Sequence, residues 1–209
     1  MMKNILFILL FAFTFLACKA QNPIISLYDG TLSPRLENSY YKDTDNDFNR
    51  FIGTWKFTNG LEEFSMILNK KELNVFTNYK NITYYSDYLY GEYQYIDEDG
   101  NELVNSLSNI TNTSIGVSEH LIFGNGFIPI RVIPRCDDCE AGERRVELSL
   151  TDPERDYISI DIILRTVPSI TDPSINDLHM IVWRSYSVIP EDAPNVSRIP
   201  LGEYIFIKQ

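Results

Sequence analysis

Histidine and cysteine are scarce in this chain, with two His and three Cys in 209 residues. So few imidazoles leave little from which to assemble a His-based metal site or an imidazole acid/base pair. Basic residues are short as well: 18 Lys+Arg stand against 29 Asp+Glu, for a formal net charge of -11. A chain without a basic surface cannot replace phosphate counterions, which excludes nucleic acid as a partner. It equally disfavours direct electrostatic adhesion to anionic lipid head groups. Long apolar runs are missing beyond the N-terminus, and no 11-residue window there carries an i, i+3, i+4, i+7 stripe. Catalytic signatures are missing too: there is no G-x-S-x-G, no H-E-x-x-H, no P-loop and no dinucleotide fingerprint. His120 and His179 adjoin no Cys or Ser motif. No catalytic residue, cofactor or metal is therefore expected, and the chain reads as a non-enzyme. What remains, 44% hydrophobic and 22% charged residues, is the composition of a folded body rather than of a disordered one. The length allows one domain plus a tail.

The N-terminus carries the most specific signal. Lys3 precedes an apolar run from Ile5 to Leu16, broken only by Thr14. That run falls short of the ~20 residues a transmembrane helix needs, and it reads as a signal peptide. The following Phe15-Leu16-Ala17-Cys18 resembles the bacterial lipobox, although Phe15 stands where that pattern usually has Leu. The resemblance implies cleavage after residue 17, lipidation of Cys18, and a membrane partner engaged through acyl chains, which hold firmly when there are two or more. The alternative is ordinary cleavage after Ala20, for which Cys18-Lys19-Ala20 offers a small-x-small site. Lys19 and the absence of acidic residues just after Cys18 resemble the sorting pattern of outer-membrane lipoproteins that face the periplasm.

With Cys18 lipidated, Cys136 and Cys139 remain, in Arg-Cys-Asp-Asp-Cys-Glu. An exported compartment is oxidising, so an even remainder points to a structural disulfide. Redox-active thiols are the weaker reading, because Asp137, Asp138 and Glu140 flank the pair and a reactive thiolate wants positive neighbours. A zinc site would need four ligands, and no second CxxC or His pair exists.

Residues 18–45 lack sustained periodicity and hold Asn22-Pro23, Asp29-Gly30 and Ser33-Pro34. They read as a tether, in part packed on the domain through Ile24, Ile25, Leu27 and Tyr28. From residue 46 to 209 the texture is that of short strands. Gly53, Trp55 and Phe57 alternate with polar residues, and Asn59-Gly60 signals a hairpin. Phe64, Met66 and Leu68 share the next face, and Asn69-Lys70-Lys71-Glu72 reads as a polar turn into Leu73–Phe76. Tyr88-Leu89-Tyr90 and Tyr93-Gln94-Tyr95 are expected to be separated by a bulge or bend at Gly91. Leu121–Phe123 and Phe127-Ile128 flank Gly124-Asn125-Gly126. Val146/Leu148/Leu150, Ile158/Ile160/Ile162/Leu164, Met180/Val182 and Tyr204–Ile207 complete the set. Nine or ten short antiparallel strands predict an all-β fold: an antiparallel barrel of eight to ten strands, with a β-sandwich as the alternative. Closure is favoured because it removes sheet edges.

Phe51-Ile52-Gly53-Thr54-Trp55 is similar to the Gly-x-Trp opening of lipocalin-like (calycin) barrels. The resemblance implies that Trp55 closes the barrel floor on the first strand and that an Arg from a late strand, here Arg184, packs on its ring. The chain also resembles a family of Bacteroidetes-type exported lipoproteins with a domain of unknown function. That likeness rests on the Cys18–Ile25 start, Tyr40-Tyr41-Lys42-Asp43, Gly91-Glu92-Tyr93-x-Tyr95, the CxxC, Leu150-Thr151-Asp152-Pro153 and the Gly202–Gln209 end. It adds location and boundaries, not an activity.

Two clusters invite a functional reading. Tyr88, Tyr90, Tyr93 and Tyr95 present flat rings with polar tips, suited to an amphipathic or sugar ligand, though Tyr is also simply a good strand residue. Asp43, Asp45 and Asp47 resemble half of an EF-hand loop, but Phe48 replaces the turn Gly and Thr54 the closing Glu. A solvated acidic turn is the plainer reading. Two functions follow from the barrel. It holds a small apolar or amphipathic ligand above Trp55, or it is packed solid and meets an envelope protein through its surface. If Phe64, Met66, Leu68, Ile160, Ile162 and Val182 meet across the axis, no interior pocket survives.

Overall fold

The computed structural model describes residues 23–28, 34–170, 172–184 and 187–209, with only the backbone at Arg184. Eight strands close into an antiparallel barrel, as the alternation predicts. They form part of a set of eleven: β1 (Ile24–Ser26), β2 (Tyr40–Lys42), β3 (Gly53–Asn59), β4 (Glu62–Thr77), β5 (Thr83–Ile96), β6 (Glu102–Asn105), β7 (Ile122–Ile128), β8 (Arg145–Leu150), β9 (Ile160–Pro168), β10 (Asn176–Arg184) and β11 (Gly202–Lys208). The ring runs β3-β4-β5-β7-β8-β9-β10-β11 and closes where Lys208 pairs with Trp55 and Ile207 with Lys56. One edge of β5 serves three partners in turn: β2 at Tyr85-Ser86, β7 at Leu89–Gly91 and β6 at Gln94–Ile96.

The period-2 pattern decides which side chains enter the barrel. Trp55, Phe64, Met66, Leu68, Leu89, Tyr93, Tyr95, Ile122, Val146, Leu148, Leu150, Ile160, Ile162, Leu164, Leu178, Met180, Val182, Tyr204 and Phe206 all point inward, and none is more than 5% exposed. They form one continuous apolar cluster. On β10 two faces were available from sequence. Met180 and Val182 face the core, while Trp183 stands 43% exposed outside.

Three local expectations give way to other geometry. The polar stretch Asn69–Glu72 does not turn; β4 runs on through it with a register shift between Lys71 and Asn74. Leu73 adopts φ +54 there, and its N–H donates to Asp87 Oδ1 at 3.2 Å. A bulge absorbs the extra residues that a turn would otherwise take up. Nor does β5 bulge at Gly91, since its register with β4 is unbroken from Tyr88 to Ile96. Gly91 serves close approach instead: a Cβ there would lie 2.3 Å from the Ile67 carbonyl oxygen. Gly124-Asn125-Gly126 lies within β7, where the ladder to β8 shifts register.

The sheet also reaches into the segment read as a tether. β1 pairs in parallel with β2, and β2 in parallel with β5. Leu27 and Tyr41 are 1% exposed and join the core. Three-residue strands with a parallel, non-local partner leave no alternation to read. The 3-10 turn Asp47–Arg50 buries Phe48, which stacks on Phe127 at 5.2 Å.

Candidate functional site

The barrel interior is the first place to look, and it is filled. Phe64 on β4 reaches past β3 to Phe206 (5.3 Å between ring centroids) and Tyr204 (5.7 Å) on β11, and it also meets Tyr93 and Tyr95 at 5.5 Å each. Phe64, Met66, Leu68, Ile160, Ile162 and Val182 belong to the same buried cluster. Both ends are stopped. At one, Phe48 and Phe51 are fully buried. At the other, Ile158 and Ile199 close over the core. Arg198 ties those two closing segments together, donating from Nε to both oxygens of the buried Asp152 at 3.0 Å and from Nη1 to the Leu103 carbonyl at 3.0 Å.

Trp55 sits inside the stopped end, 1% exposed, and its Nε1 donates to the Phe51 carbonyl at 2.8 Å. The cation over its ring is Lys208, whose Nζ lies 5.2 Å from the ring centroid. The Lys208 side chain crosses Gly53 to get there, passing 2.8 Å from where a Cβ would stand. Arg184 was expected in that role. Its side chain lies outside the described residues, and its backbone pairs with Ile160 at the C-terminal end of β10. Trp55 lies beside the opposite end, because Lys208 follows Phe206, the partner of Leu178.

The four tyrosines do not share a surface. Tyr93 and Tyr95 are core residues whose hydroxyls donate to the Thr151 carbonyl (2.9 Å) and Glu62 (2.8 Å). Tyr88 faces outward and is packed between Phe76 (4.6 Å) and Phe123 (4.8 Å, 9° between planes). Tyr90 packs on His120 at 4.6 Å. An odd step from residue 90 to 93 separates the pairs onto opposite faces with no break in the strand.

The Asp43/Asp45/Asp47 run is committed to protein donors. Asp43 accepts from the Asp47 and Phe48 amides (2.9 Å each) and from the Tyr28 hydroxyl (2.7 Å). Asp45 and Asp47 both receive Arg144. Burial pushes the Asp47 carboxyl up, but Arg144, Tyr28 and Arg50 outweigh it and hold the group below 3.8. Among the described residues no three His, Cys, Asp or Glu side chains converge on a metal position.

The most concentrated chemistry lies outside the barrel wall, where residues 129–144 fold over β9, β10 and β11. Cys136 and Cys139 are joined in a disulfide there. Arg145, 1% exposed, anchors this segment by donating to the carbonyls of Pro129, Val132 and Pro134. Arg165 Nη1 lies 2.8 Å from Cys136 Sγ and 3.0 Å from Cys139 Sγ, while its Nη2 pairs with Asp138. Arg165 Nε faces His179 Nδ1 at 3.2 Å, and His179 Nε2 faces Glu203 at 3.2 Å. A cavity of about 120 Å³ beside Cys136 is lined by Arg135, Arg145, Arg165 and His179. It adjoins a cleft of about 800 Å³ that reaches Arg50 and Pro168. Arg165 holds the Asp138 carboxyl below its ordinary value, and burial, with Arg165 nearby, draws the Arg145 guanidinium down. In sequence the two cysteines have three acidic neighbours, Asp137, Asp138 and Glu140, and one basic neighbour, Arg135. The buried basic neighbours, Arg145 and Arg165, come from β8 and β9, too far along the chain for any local pattern to reveal them.

A second buried pair, His120 Nδ1 with Glu92 Oε1 at 2.7 Å, also escaped the sequence reading. No curated protein and no solved structure matches the chain. A family of unknown function, DUF6705, matches residues 2–209, and the chain belongs to that family.

Proposed function

We propose that this protein is an exported lipoprotein, held to the outer membrane through Cys18 and facing the periplasm, whose solid barrel is a scaffold for contact with another envelope protein. The observation that carries the scaffold reading is the filled interior: the side chains that would line a ligand cavity are instead buried together in one apolar cluster, none more than 5% exposed. An eight-stranded barrel is just wide enough for its own side chains to occupy it or for one small ligand. Here aromatic rings from β4, β5 and β11 take that space. The filled interior favours the scaffold over a lipocalin-like carrier of apolar ligands. The tether rests on the lipobox resemblance at Phe15–Cys18, which lies outside the described residues. The family match includes that segment, which supports reading it with the rest of the chain.

Two outcomes follow. An environment-sensitive apolar dye, titrated into the folded domain, gains no saturable fluorescence at one site per chain; saturable binding abolished by Phe64→Trp overfilling would return the carrier reading. Separately, Cys18→Ser moves the protein from the membrane to the soluble fraction and abolishes palmitate incorporation. Palmitate labelling that persists in the mutant would refute the lipid anchor.

A further inference from the structure

In sequence the two cysteines stand among three acidic residues and one basic residue, Arg135; in space two buried guanidinium groups, Arg145 and Arg165, are added. Arg165, 8% exposed, rises from the outer face of β9 and sets one nitrogen within 3.0 Å of both sulfurs. Arg135 and Arg145 line the same small cavity. The acidic groups facing the sulfurs are Asp138, itself paired to Arg165, and Glu143, 3.8 Å from Arg165. Behind Arg165 stand His179 and then Glu203, so the guanidinium is fixed in place by a chain of polar contacts. The Asp138 side chain is 75% exposed, so solvent screens its charge far more than that of Arg165. A loop staple requires no such cation. Sulfur in a disulfide is a weak acceptor, and it returns little of the cost of desolvating a guanidinium. A thiolate in the same place returns much more.

We propose that Cys136–Cys139 is a thiol–disulfide exchange site that passes its disulfide to a dithiol, with Arg165 stabilising the thiolate that departs. A thiolate of the dithiol attacks one sulfur. A mixed disulfide forms as the Cys136–Cys139 bond breaks, and the electron pair leaves on the other sulfur, beside Arg165. The second thiolate of the dithiol then attacks the mixed disulfide and frees the remaining cysteine. Two electrons have moved to the cysteine pair, and the dithiol has become a disulfide. Its two protons pass to the cysteines, or to water for the sulfur that stays ionised. A cation that favours the reduced form makes a disulfide more oxidising. Both cysteines are partly exposed, and the small cavity beside Cys136, which adjoins the wider cleft, gives a dithiol-bearing segment a path to that sulfur. This goes beyond the scaffold reading and does not depend on it, because the interior takes no part.

The experiment uses the full chain, folded and oxidised, with dithiothreitol as the dithiol and glutathione as the redox buffer. Dithiothreitol reduces the disulfide without denaturant. In the reduced protein, iodoacetamide alkylation of one cysteine follows a thiolate titrating below the ~8.5 of a free cysteine. Arg165→Gln raises that titration by about one unit or more, so alkylation at pH 6 slows about tenfold, as removing an opposite charge at this range implies. The reduced fraction at a fixed glutathione ratio falls by a similar factor, and Arg165→Lys restores much of both. A disulfide reduced only after unfolding overturns the proposal. So does an Arg165→Gln profile identical to that of the wild type. Should Arg165→Gln not fold, the wild-type profile decides: both thiols titrating at or above 8.5 overturn it.

Discussion

Trp55→Ala is expected to lower stability by about 3–5 kcal/mol, the range for truncating a large aromatic side chain in a core. That is a large share of the roughly 5–15 kcal/mol that holds a domain folded. Three losses combine. The ring is 1% exposed, so its apolar area returns to water and leaves a void at the stopped end of the barrel. The Phe51 carbonyl loses the indole N–H that reaches it at 2.8 Å. Lys208 loses the ring beneath its ammonium group. Trp55→Phe keeps most of the apolar body and should cost less. Lys208→Ala should cost under about 1 kcal/mol, since cation–π contacts at exposed sites contribute little more. Denaturant midpoints measure all three, and a Trp55→Ala midpoint equal to wild type would remove Trp55 from the core account.

Arg198→Ala should be about as severe, at about 3–5 kcal/mol, because it leaves a buried carboxylate uncompensated. Asp152 has no exposed surface, and Arg198 contacts both of its oxygens. The effect carries a pH signature. Burial pushes the Asp152 carboxyl up, but the hydrogen bonds and charge of Arg198, together with the Glu154 amide, outweigh burial and hold it below its ordinary value. A carboxyl depressed in the folded state contributes stability that is fully present above its unfolded value and is lost as pH falls through the folded one. Without Arg198 the Glu154 amide, which donates to Asp152 Oδ1 at 3.1 Å, is left to oppose burial, so Asp152 takes a proton at higher pH and the cost of the buried charge is relieved. The gap between wild type and Arg198→Ala should therefore be widest near neutral pH and narrow below about pH 4, near the ordinary Asp value. Unfolding free energies of both proteins between pH 7 and pH 3 test this. A gap independent of pH would mean that Arg198 acts through packing alone.

The barrel was legible because alternation is a local property. Val146/Leu148/Leu150 and Ile160/Ile162/Leu164 could only bury one face, and they bury it. Met180 against Ile181 was not legible, since both faces of β10 are apolar and only the three-dimensional partner decides. Neither were β1 and β2, whose pairing joins Tyr40 to Tyr85. The charged clusters were the least legible. Arg165 lies 29 residues from Cys136 and Arg198 lies 46 from Asp152. Local sequence offered the opposite cue at the disulfide, where acidic residues adjoin the cysteines and the guanidinium arrives from another strand. The tyrosines illustrate the converse hazard: four rings crowded in sequence are divided between core and exterior by strand parity alone.

Native mass spectrometry of the folded domain, purified from its own cells without denaturation, tests the solid-barrel account most directly. The account predicts one mass, that of the purified chain, unchanged when the protein is denatured. A heavier native species that sheds a stoichiometric apolar molecule on denaturation, and that is lost when Phe64 or Tyr93 is enlarged or truncated, would place a ligand inside the barrel and contradict it.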